Sequence, residues 1–395
     1  MKFAHLADCH VGGWREEKLN MLSIEHFRKA VDVCLDESVG FVLISGDLFD
    51  VAMPGYDVIN EVAKQLARLK EEDVSVYIIP GSHDYSVTGK TAINILESAD
   101  LCINVCKFED ERLQFVEDKT GVKITGIPGR RGGLEKEDYK ILDRRHLENE
   151  NGFKIFMFHT ALEEFKPADL KDVECTSYLD LPKNFSYYAG GHVHYLLDTI
   201  KEGYGKIVYP GPLFPNNFKE IEELRRGSFC VVDDKLNVER KFLELRAGVL
   251  SFVVLGSTPG EINQKIESII DANDFTDKIV TLRITGELET GKITDVKIRE
   301  FAKKIEEKGA FYVMKNTNKL KMKDFEEVKL SGEVKDIEKE LIREHLGQFK
   351  IGDEQRLTEG LIDLFSLEKL EGETNAAFEA RIIDAVLKSM KLENI

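Results

Sequence analysis

Phe41-Val42-Leu43-Ile44-Ser45-Gly46-Asp47-Leu48-Phe49-Asp50 sets a short strand-like run directly before a glycine and a carboxylate. Continuous apolar character, without alternation, predicts a strand buried on both faces, as in an α/β sheet. The same grammar repeats around it. Phe3 to Ala7 precedes Asp8-Cys9-His10, and Val74 to Pro80 precedes Gly81-Ser82-His83-Asp84. Helix-like stretches around 22–38 and 56–72 separate these runs, as parallel strands require. Further on, Phe153 to Phe158 delivers His159, and Phe185 to Ala189 delivers Gly191-His192-Val193-His194. In open α/β sheets ligands bind beyond the carboxyl ends of strands, so these groups are placed to converge.

The chain has 395 residues, enough for two or three domains and at least one large core. Hydrophobic residues make up 42% and charged residues 32%, an ordinary soluble composition. No leader-like or membrane-spanning run is evident, which predicts a cytoplasmic protein without membrane contact. Six scattered cysteines with no CxxC pair read as reduced thiols. A net charge of −17 argues against coating nucleic acid through a global basic field. It leaves open local handling of phosphates, because bound metal ions supply positive charge to an acidic site.

Additional strands are expected at Val122 to Ile127, near 195–200, 206–209, 227–233 and 238–245, making residues 1–246 one α/β sandwich. A second, α+β unit follows over 247–330. In it Thr258-Pro259-Gly260-Glu261 forms a capping box opening a helix that carries Ile262, Ile266 and Ile269. Strands are expected at Val253 to Leu255, Lys278 to Thr285 and Ala310 to Lys315, with a helix through Val296 to Glu307. The segment 331–395 has no strand signal. Its apolar stripes, Val334/Ile337/Leu341/His345, Leu357/Leu361/Leu364/Phe365 and Phe378/Ile382/Ala385, predict helices.

The ordered series of Asp and His residues suits two divalent cations a few ångströms apart, which activate a water and clamp a phosphate. Such a cage needs a bridging carboxylate, and Asp47, alone after Gly46, is the natural choice. Asp8 and His10 hold one metal, with Cys9 turned to the opposite face by strand alternation. His192 and His194 share a face in the same way and each serve a metal in one site.

Asp8-x-His10, Gly46-Asp47, Gly81-x-His83-Asp84 and Gly191-His192-x-His194 resemble the signature of calcineurin-like metallophosphoesterases. Gly46-Asp47-Leu48-Phe49-Asp50, the His159 to His192 spacing and Tyr209-Pro210-Gly211 resemble more narrowly the SbcD-type DNA double-strand-break repair nuclease, partner of an SMC-like coiled-coil ATPase. The resemblance implies a four-layer α/β/β/α sandwich with a small α+β cap domain that binds DNA, and C-terminal helices over 331–395 that grip the ATPase. It implies a DNA nuclease with two divalent metals, usually Mn²⁺, and a homodimer. Asp8, His10, Asp47 and His194 then bind the first metal, and Asp47, Ser82, His159 and His192 the second. His83 is the non-ligand histidine that assists catalysis, a role imidazole suits because it titrates near neutrality. Two positions depart from the family pattern. Ser82 stands where the family has Asn, which predicts a weaker, more exchangeable second metal. Asp50 stands where some relatives carry a histidine.

Arg130 and Arg131, between Gly129 and Gly132, form the best local basic feature for a phosphate backbone, and Arg144-Arg145 and Arg225-Arg226 are similar pairs. His5 reads as a satisfied core histidine, whereas His26, His146 and His345 sit in charged, helical contexts that predict solvation. Trp14 and Tyr85 are candidates for base stacking or for packing at the pocket rim. Two other functions fit the same motifs: a phosphodiesterase or phosphatase acting on a small nucleotide, and a weakly active metal-binding scaffold.

Overall fold

Strands buried on both faces need a covering layer on each side, and the chain supplies helices for one and a second sheet for the other. The computed structural model describes residues 1–84, 86, 90–167, 175–323, 360, 361, 364, 367 and 375–389. Its first sheet begins with β1 (Lys2–Leu6), β2 (Phe41–Ser45), β3 (Ser75–Ile79) and the short β4 (Ile103–Asn104), all parallel. The second sheet contains β5 (Val116–Glu117), β6 (Lys123–Ile127), β7 (Lys154–His159), β8 (Tyr187–Gly191), β9 (Leu197–Lys201) and β10 (Tyr204–Tyr209). β11 (Arg226–Asp233) and β12 (Val238–Glu244) then return antiparallel to the first sheet. The strand orders are β12-β11-β1-β2-β3-β4 and β9-β10-β8-β7-β6-β5.

Side chains alternate across a strand, so one run serves two cores. Phe41 and Leu43 of β2, with Phe3 of β1, point between the sheets and meet Ile155, Met157, Tyr187 and Val208. Val42 and Ile44, with Ala4 and Leu6, point outward to α1 (Glu17–Asp36) and α2 (Tyr56–Glu71), which bring Phe27, Val31, Val62 and Leu66. On the far side, α3 (Glu135–Ile141) and α4 (Arg145–Asn149) lay Tyr139 and Leu147 over Phe156, Phe158, Tyr188 and Ile207. These are the layers of the expected α/β/β/α sandwich. α5 (Phe218–Leu224) links β10 to β11 and lies at the strand ends that carry the candidate ligands.

Residues 249–322 build a separate three-stranded parallel sheet from β13 (Val249–Leu255), β14 (Ile279–Leu288) and β15 (Tyr312–Met322), in that order. α6 (Pro259–Ala272) and α7 (Ile298–Glu307) pack on one side of it around Ile262, Ile266, Leu282, Ile284, Phe301 and Ile305. Thr258 caps α6 as expected, accepting from the Glu261 amide at 3.2 Å. The Glu261 carboxylate, however, accepts from Ser257 N at 2.9 Å, one residue ahead of the expected capping-box partner. Ile270, rather than Ile269, completes the fully buried stripe, because spacing of four keeps 262, 266 and 270 on one face. Leu19, Leu22, Phe214, Leu245, Val249 and Ile279 form a shared cluster that seats this sheet on the sandwich, with Trp14 packed beside them.

Residues 1–322 form one unit and 323–395 another. In the second, α8 (Asn375–Ser389) carries Phe378, Ile382 and Ala385 half-buried, with Ile383 and Leu387 exposed. Val334, Ile337, Leu341, His345, Leu357, Phe365 and Tyr85 lie outside the described residues. No described helix is long and apolar enough to cross a membrane.

Two histidine expectations need adjustment. His26 is buried rather than solvated, because the α1 face that carries it packs inward. Its Nδ1 donates to Leu22 O at 2.8 Å, its ring lies against Phe214, and burial lowers its pKa to about 4. His146 is half-buried, with Nε2 at 2.7 Å from Leu113 O. His5 is a core residue as expected, bonded through Nδ1 to Tyr187 Oη at 2.9 Å and kept neutral by burial.

The inter-sheet core leaves no solvent around its aromatic residues. Phe41 is fully buried and stacks on Phe3 at 5.1 Å. Phe41→Ala is expected to cost about 3–5 kcal/mol, read as a lowered urea midpoint with an unchanged slope; a shift worth under about 1 kcal/mol would place the core elsewhere.

Candidate metal centre

Most candidate ligands sit just past strand ends, where the backbone turns sharply, while His159 is the last residue of β7. Asp8, His10, Asp47 and His192 all adopt left-handed backbone, with φ of 50°, 42°, 50° and 91°. Such conformations are uncommon outside glycine and cluster at functional sites. They also revise one expectation: Asp8 and His10 do not share a face through strand alternation, because β1 ends at Leu6 and the chain turns at both residues. Backbone bonds tie these turns together, from Asp8 N to Gly46 O (3.1 Å), His10 N to Asp47 O (3.0 Å) and Val11 N to Leu48 O (3.0 Å). The buried Asp84 carboxylate accepts from Leu48 N, Phe49 N and Gly81 N at 3.0–3.1 Å, locking the Asp47 turn to the Ser82 turn. Close approaches around these turns require glycine, as at Gly46 and Gly81. A Cβ on Gly46 falls 2.1 Å from His159 Nδ1, and one on Gly81 falls 2.2 Å from the Asp47 amide.

Two triads result. Asp8, His10 and His194 bring one ligand atom each within 4.8 Å of one another, and so do Asp47, His159 and His192. The Asp47 carboxylate lies between the triads, its Oδ2 at 3.1 Å from His159 Nε2 and 3.8 Å from His10 Nε2. Ser82 Oγ approaches the same oxygen at 3.4 Å. His83 joins from the solvent side. Its amide donates to Asp47 Oδ1 at 2.7 Å and its ring stands 4.8 Å from that of His10.

A common pattern orients the imidazoles. His159 Nδ1 donates to Ser45 O (2.8 Å), His10 Nδ1 faces Asp50 Oδ1 (3.1 Å), and His194 Nδ1 faces Glu220 Oε1 (2.9 Å). Each oxygen only accepts, so Nδ1 carries a hydrogen and Nε2 is left for the centre. His10 Nε2 and His194 Nε2 then face each other at 3.3 Å. Imidazoles held by an outer carboxylate or carbonyl while their second nitrogens converge are the usual arrangement around a metal. Carboxylate and imidazole donors on both sides of one carboxylate fit a pair of divalent cations. A third possible grouping, His10 with Asp50 and His83, uses the outward His10 nitrogen already bonded to Asp50.

Residues 1–196 match the calcineurin-like phosphoesterase family model, a span that contains all of these candidate ligands. The chain carries a calcineurin-like phosphoesterase domain. Curated relatives bear the name DNA double-strand break repair protein Mre11. That of Archaeoglobus fulgidus is 30% identical over 57% of this chain and 53% of its own length. That of Thermoplasma acidophilum is 28% identical over 72% of this chain and 77% of its own, and that of Sulfurisphaera tokodaii 33% identical over 48% of each. The chain thus spans from about half to about three quarters of these relatives.

Within the phosphoesterase domain, the buried charges interact strongly. Burial works against a charged His159, but the Asp47 carboxylate and its hydrogen bond outweigh it and hold the imidazole at about 10. His194 is raised to about 9: burial opposes charge, and the Glu220 hydrogen bond and Asp8 prevail. His192 goes the other way, lowered to about 3 by burial and by the neighbouring His159 charge. Asp84 is pushed up to about 6 by burial and by Asp47. Burial pushes Cys9 well above its ordinary value, so it is an inert thiol beside the site.

The two arginines of the basic loop part company. Arg131 is exposed, and its Nε reaches Ser82 O at 3.4 Å, at the rim of the centre. Arg130 pairs instead with Asp138 at 2.8 Å. Arg144 donates to Leu179 O, Arg225 to Glu222 O, and Arg226 stacks on Phe242. Trp14 donates to Pro215 O at 3.0 Å while its ring packs in the seam, which favours packing over stacking. Asp84, Glu220 and Asn216, which bonds Asp50 Oδ1 at 3.2 Å, are orienting residues to which the sequence reading assigns no role. Asp84 was visible in the Gly81-Ser82-His83-Asp84 motif; Glu220 had no motif signal.

A divalent cation entering the metal-free site competes with protons on His159 and His194. Both are protonated at pH 7, since their pKa values lie above it. Apparent affinity is therefore expected to rise with pH and to level off above about 9–10, with close to two protons released per protein saturated at pH 7. Mn²⁺ titration calorimetry in buffers of different ionisation enthalpy measures this; no proton release, or affinity that falls as pH rises, would contradict it.

Proposed function

We propose that this chain is a two-metal DNA nuclease, hydrolysing phosphodiesters in double-strand-break repair with Mn²⁺ as cofactor. The observation that carries this reading is the pair of triads, Asp8/His10/His194 and Asp47/His159/His192, meeting at the Asp47 carboxylate. The similarity to DNA double-strand break repair proteins supports DNA as the substrate. Asp8, His10, Asp47 and His194 are assigned to the first cation and Asp47, Ser82, His159 and His192 to the second. When bound, the cations supply Lewis acidity towards phosphate oxygens and a nucleophilic water at neutral pH.

The remaining chemistry belongs to side chains. His83 is 44% exposed at its side chain, and its Nδ1 donates to Asp50 O at 2.8 Å. That bond fixes the tautomer and leaves Nε2 as the atom that accepts or delivers a proton to the leaving oxygen. Asp50, where a histidine occurs in some relatives, holds His10 through its carboxylate and His83 through its carbonyl, so it acts by orientation. Arg131 is placed to meet a substrate phosphate, and Lys315, Lys319 and Lys321, exposed along β15, add positive charge on the 249–322 unit. Engagement of a coiled-coil ATPase through 331–395 and homodimer formation are part of the same proposal.

Mn²⁺-dependent cleavage of duplex ends, single strands and a chromogenic diester separates a nuclease from a small-nucleotide phosphodiesterase. DNA cleavage that Asp47→Asn lowers by more than about 100-fold, beyond the usual loss for an outer partner, is the expected result. Turnover of the small diester with no DNA cleavage would favour the other enzyme.

Ser82 and the arginines give finer tests. Ser82→Asn supplies a longer amide oxygen and is expected to tighten the weaker Mn²⁺ site by about tenfold; two equal sites in the unaltered protein would refute the weak-site reading. Arg131→Ala should reduce the salt dependence of DNA binding by about 0.9 in log–log slope, one phosphate contact, while Arg130→Ala leaves it unchanged. An unchanged slope for Arg131→Ala would remove that residue from the DNA path.

A further inference from the structure

α5 is a short helix with two occupied sides. Towards the candidate metal centre, Glu220 accepts His194 Nδ1 at 2.9 Å through Oε1 and the Asn216 amide at 2.7 Å through Oε2. Asn217, the N-cap, accepts from the Glu220 amide at 3.0 Å and donates to its carboxylate, so the position of Glu220 is set by the start of the helix. Towards the 249–322 sheet, Arg283 of β14 grips Glu222 with Nη2 at 2.5 Å and Nε at 3.2 Å, and its guanidinium lies 4.9 Å from the Phe218 ring. Residues 218 and 222 are four apart and share a helix face, whereas 220 lies between them in sequence and points to another. Both partners of the ion pair are largely enclosed, with side-chain exposures of 19% for Arg283 and 13% for Glu222. A planar guanidinium bonded through two nitrogens and stacked on an aromatic ring fixes direction as well as distance.

We propose that Arg283 is a positioning residue for the metal centre: it anchors α5 to the 249–322 sheet through Glu222 and Phe218, and so sets Glu220 against the His194 imidazole. The 249–322 unit thereby tunes a metal ligand without supplying one itself. Displacement of that sheet, by DNA or by a partner, loosens His194 through the same connection. This inference rests on the reading of His194 as a ligand.

The test is Mn²⁺ titration calorimetry on the full-length chain without substrate, comparing the parent protein with Arg283→Ala, Glu222→Gln, Glu220→Gln and the Arg283→Ala/Glu220→Gln double variant. His194→Ala serves as the reference. Loss of a direct outer partner weakens metal binding by about 10–100-fold, so Glu220→Gln is expected in that range and Arg283→Ala, one step further away, at about 3–10-fold. The second Mn²⁺ affinity stays as in the parent, Arg283→Lys restores part of the loss, and the double variant is no weaker than Glu220→Gln alone. Folded Arg283→Ala with parental Mn²⁺ affinity, or strictly additive losses in the double variant, overturns the proposal. Should Arg283→Ala fail to fold, Glu222→Gln breaks the same pair from the other end, and its parental affinity overturns the proposal equally. If His194→Ala itself keeps both affinities, it is the ligand reading that fails.

Discussion

A carboxylate removed from water is costly unless other groups compensate it from several directions, and Asp47 is 2% exposed. His83 N supplies Oδ1, while His159 Nε2 and Ser82 Oγ supply Oδ2, with His10 Nε2 close by. Those groups come from the ends of β1, β3 and β7, drawn from both sheets of the sandwich. The need to satisfy one buried charge therefore fixes how the two sheets register at their carboxyl edges. His159 answers that need, since the Asp47 carboxylate and its hydrogen bond outweigh burial and raise the imidazole to about 10. The same geometry suits a metal, which replaces protons with a larger positive charge.

Left-handed turns are the local cost of this convergence. Asp8, His10 and Asp47 are held in them by backbone bonds between neighbouring turns and by the three amides that Asp84 collects, and His192 by its amide's bond to the Asp8 carboxylate. Strain of this kind persists only where the surroundings over-determine it. Here the surroundings are a close-packed inter-sheet core around Phe3, Phe41 and Tyr187. The domain that presents the turns is a calcineurin-like phosphoesterase domain, and the candidate site lies where the carboxyl edges of its two sheets meet.

Much of this was legible in the sequence, for physical reasons. Strands buried on both faces leave unbroken apolar runs, so β2 was read at its observed bounds and β3 and β7 within one or two residues. Candidate ligands that follow such runs announce themselves through Gly-Asp and Gly-His pairs. What the chain order hides is tertiary. Glu220 lies on a seven-residue helix with no motif and gains its role only where that helix meets His194. His26 looks polar beside Glu25 and Lys29, yet the inward face of α1 buries it. Asp8 and His10 look like strand neighbours in the sequence although each sits in a turn, because left-handed backbone at a non-glycine residue leaves no compositional trace. The separate fates of Arg130 and Arg131 depend on Asp138, eight and seven residues further on, and on nothing in the Gly-Arg-Arg-Gly pattern itself.

The proposed chemistry requires Asp47 to stand between two cations. Anomalous diffraction from crystals of the protein soaked in Mn²⁺ measures this directly. Two peaks are predicted, one among Asp8, His10 and His194 and the other among His159, His192 and Ser82, with Asp47 contacting both. A single peak, or one held by His10, Asp50 and His83 with Asp47 uninvolved, would contradict the account.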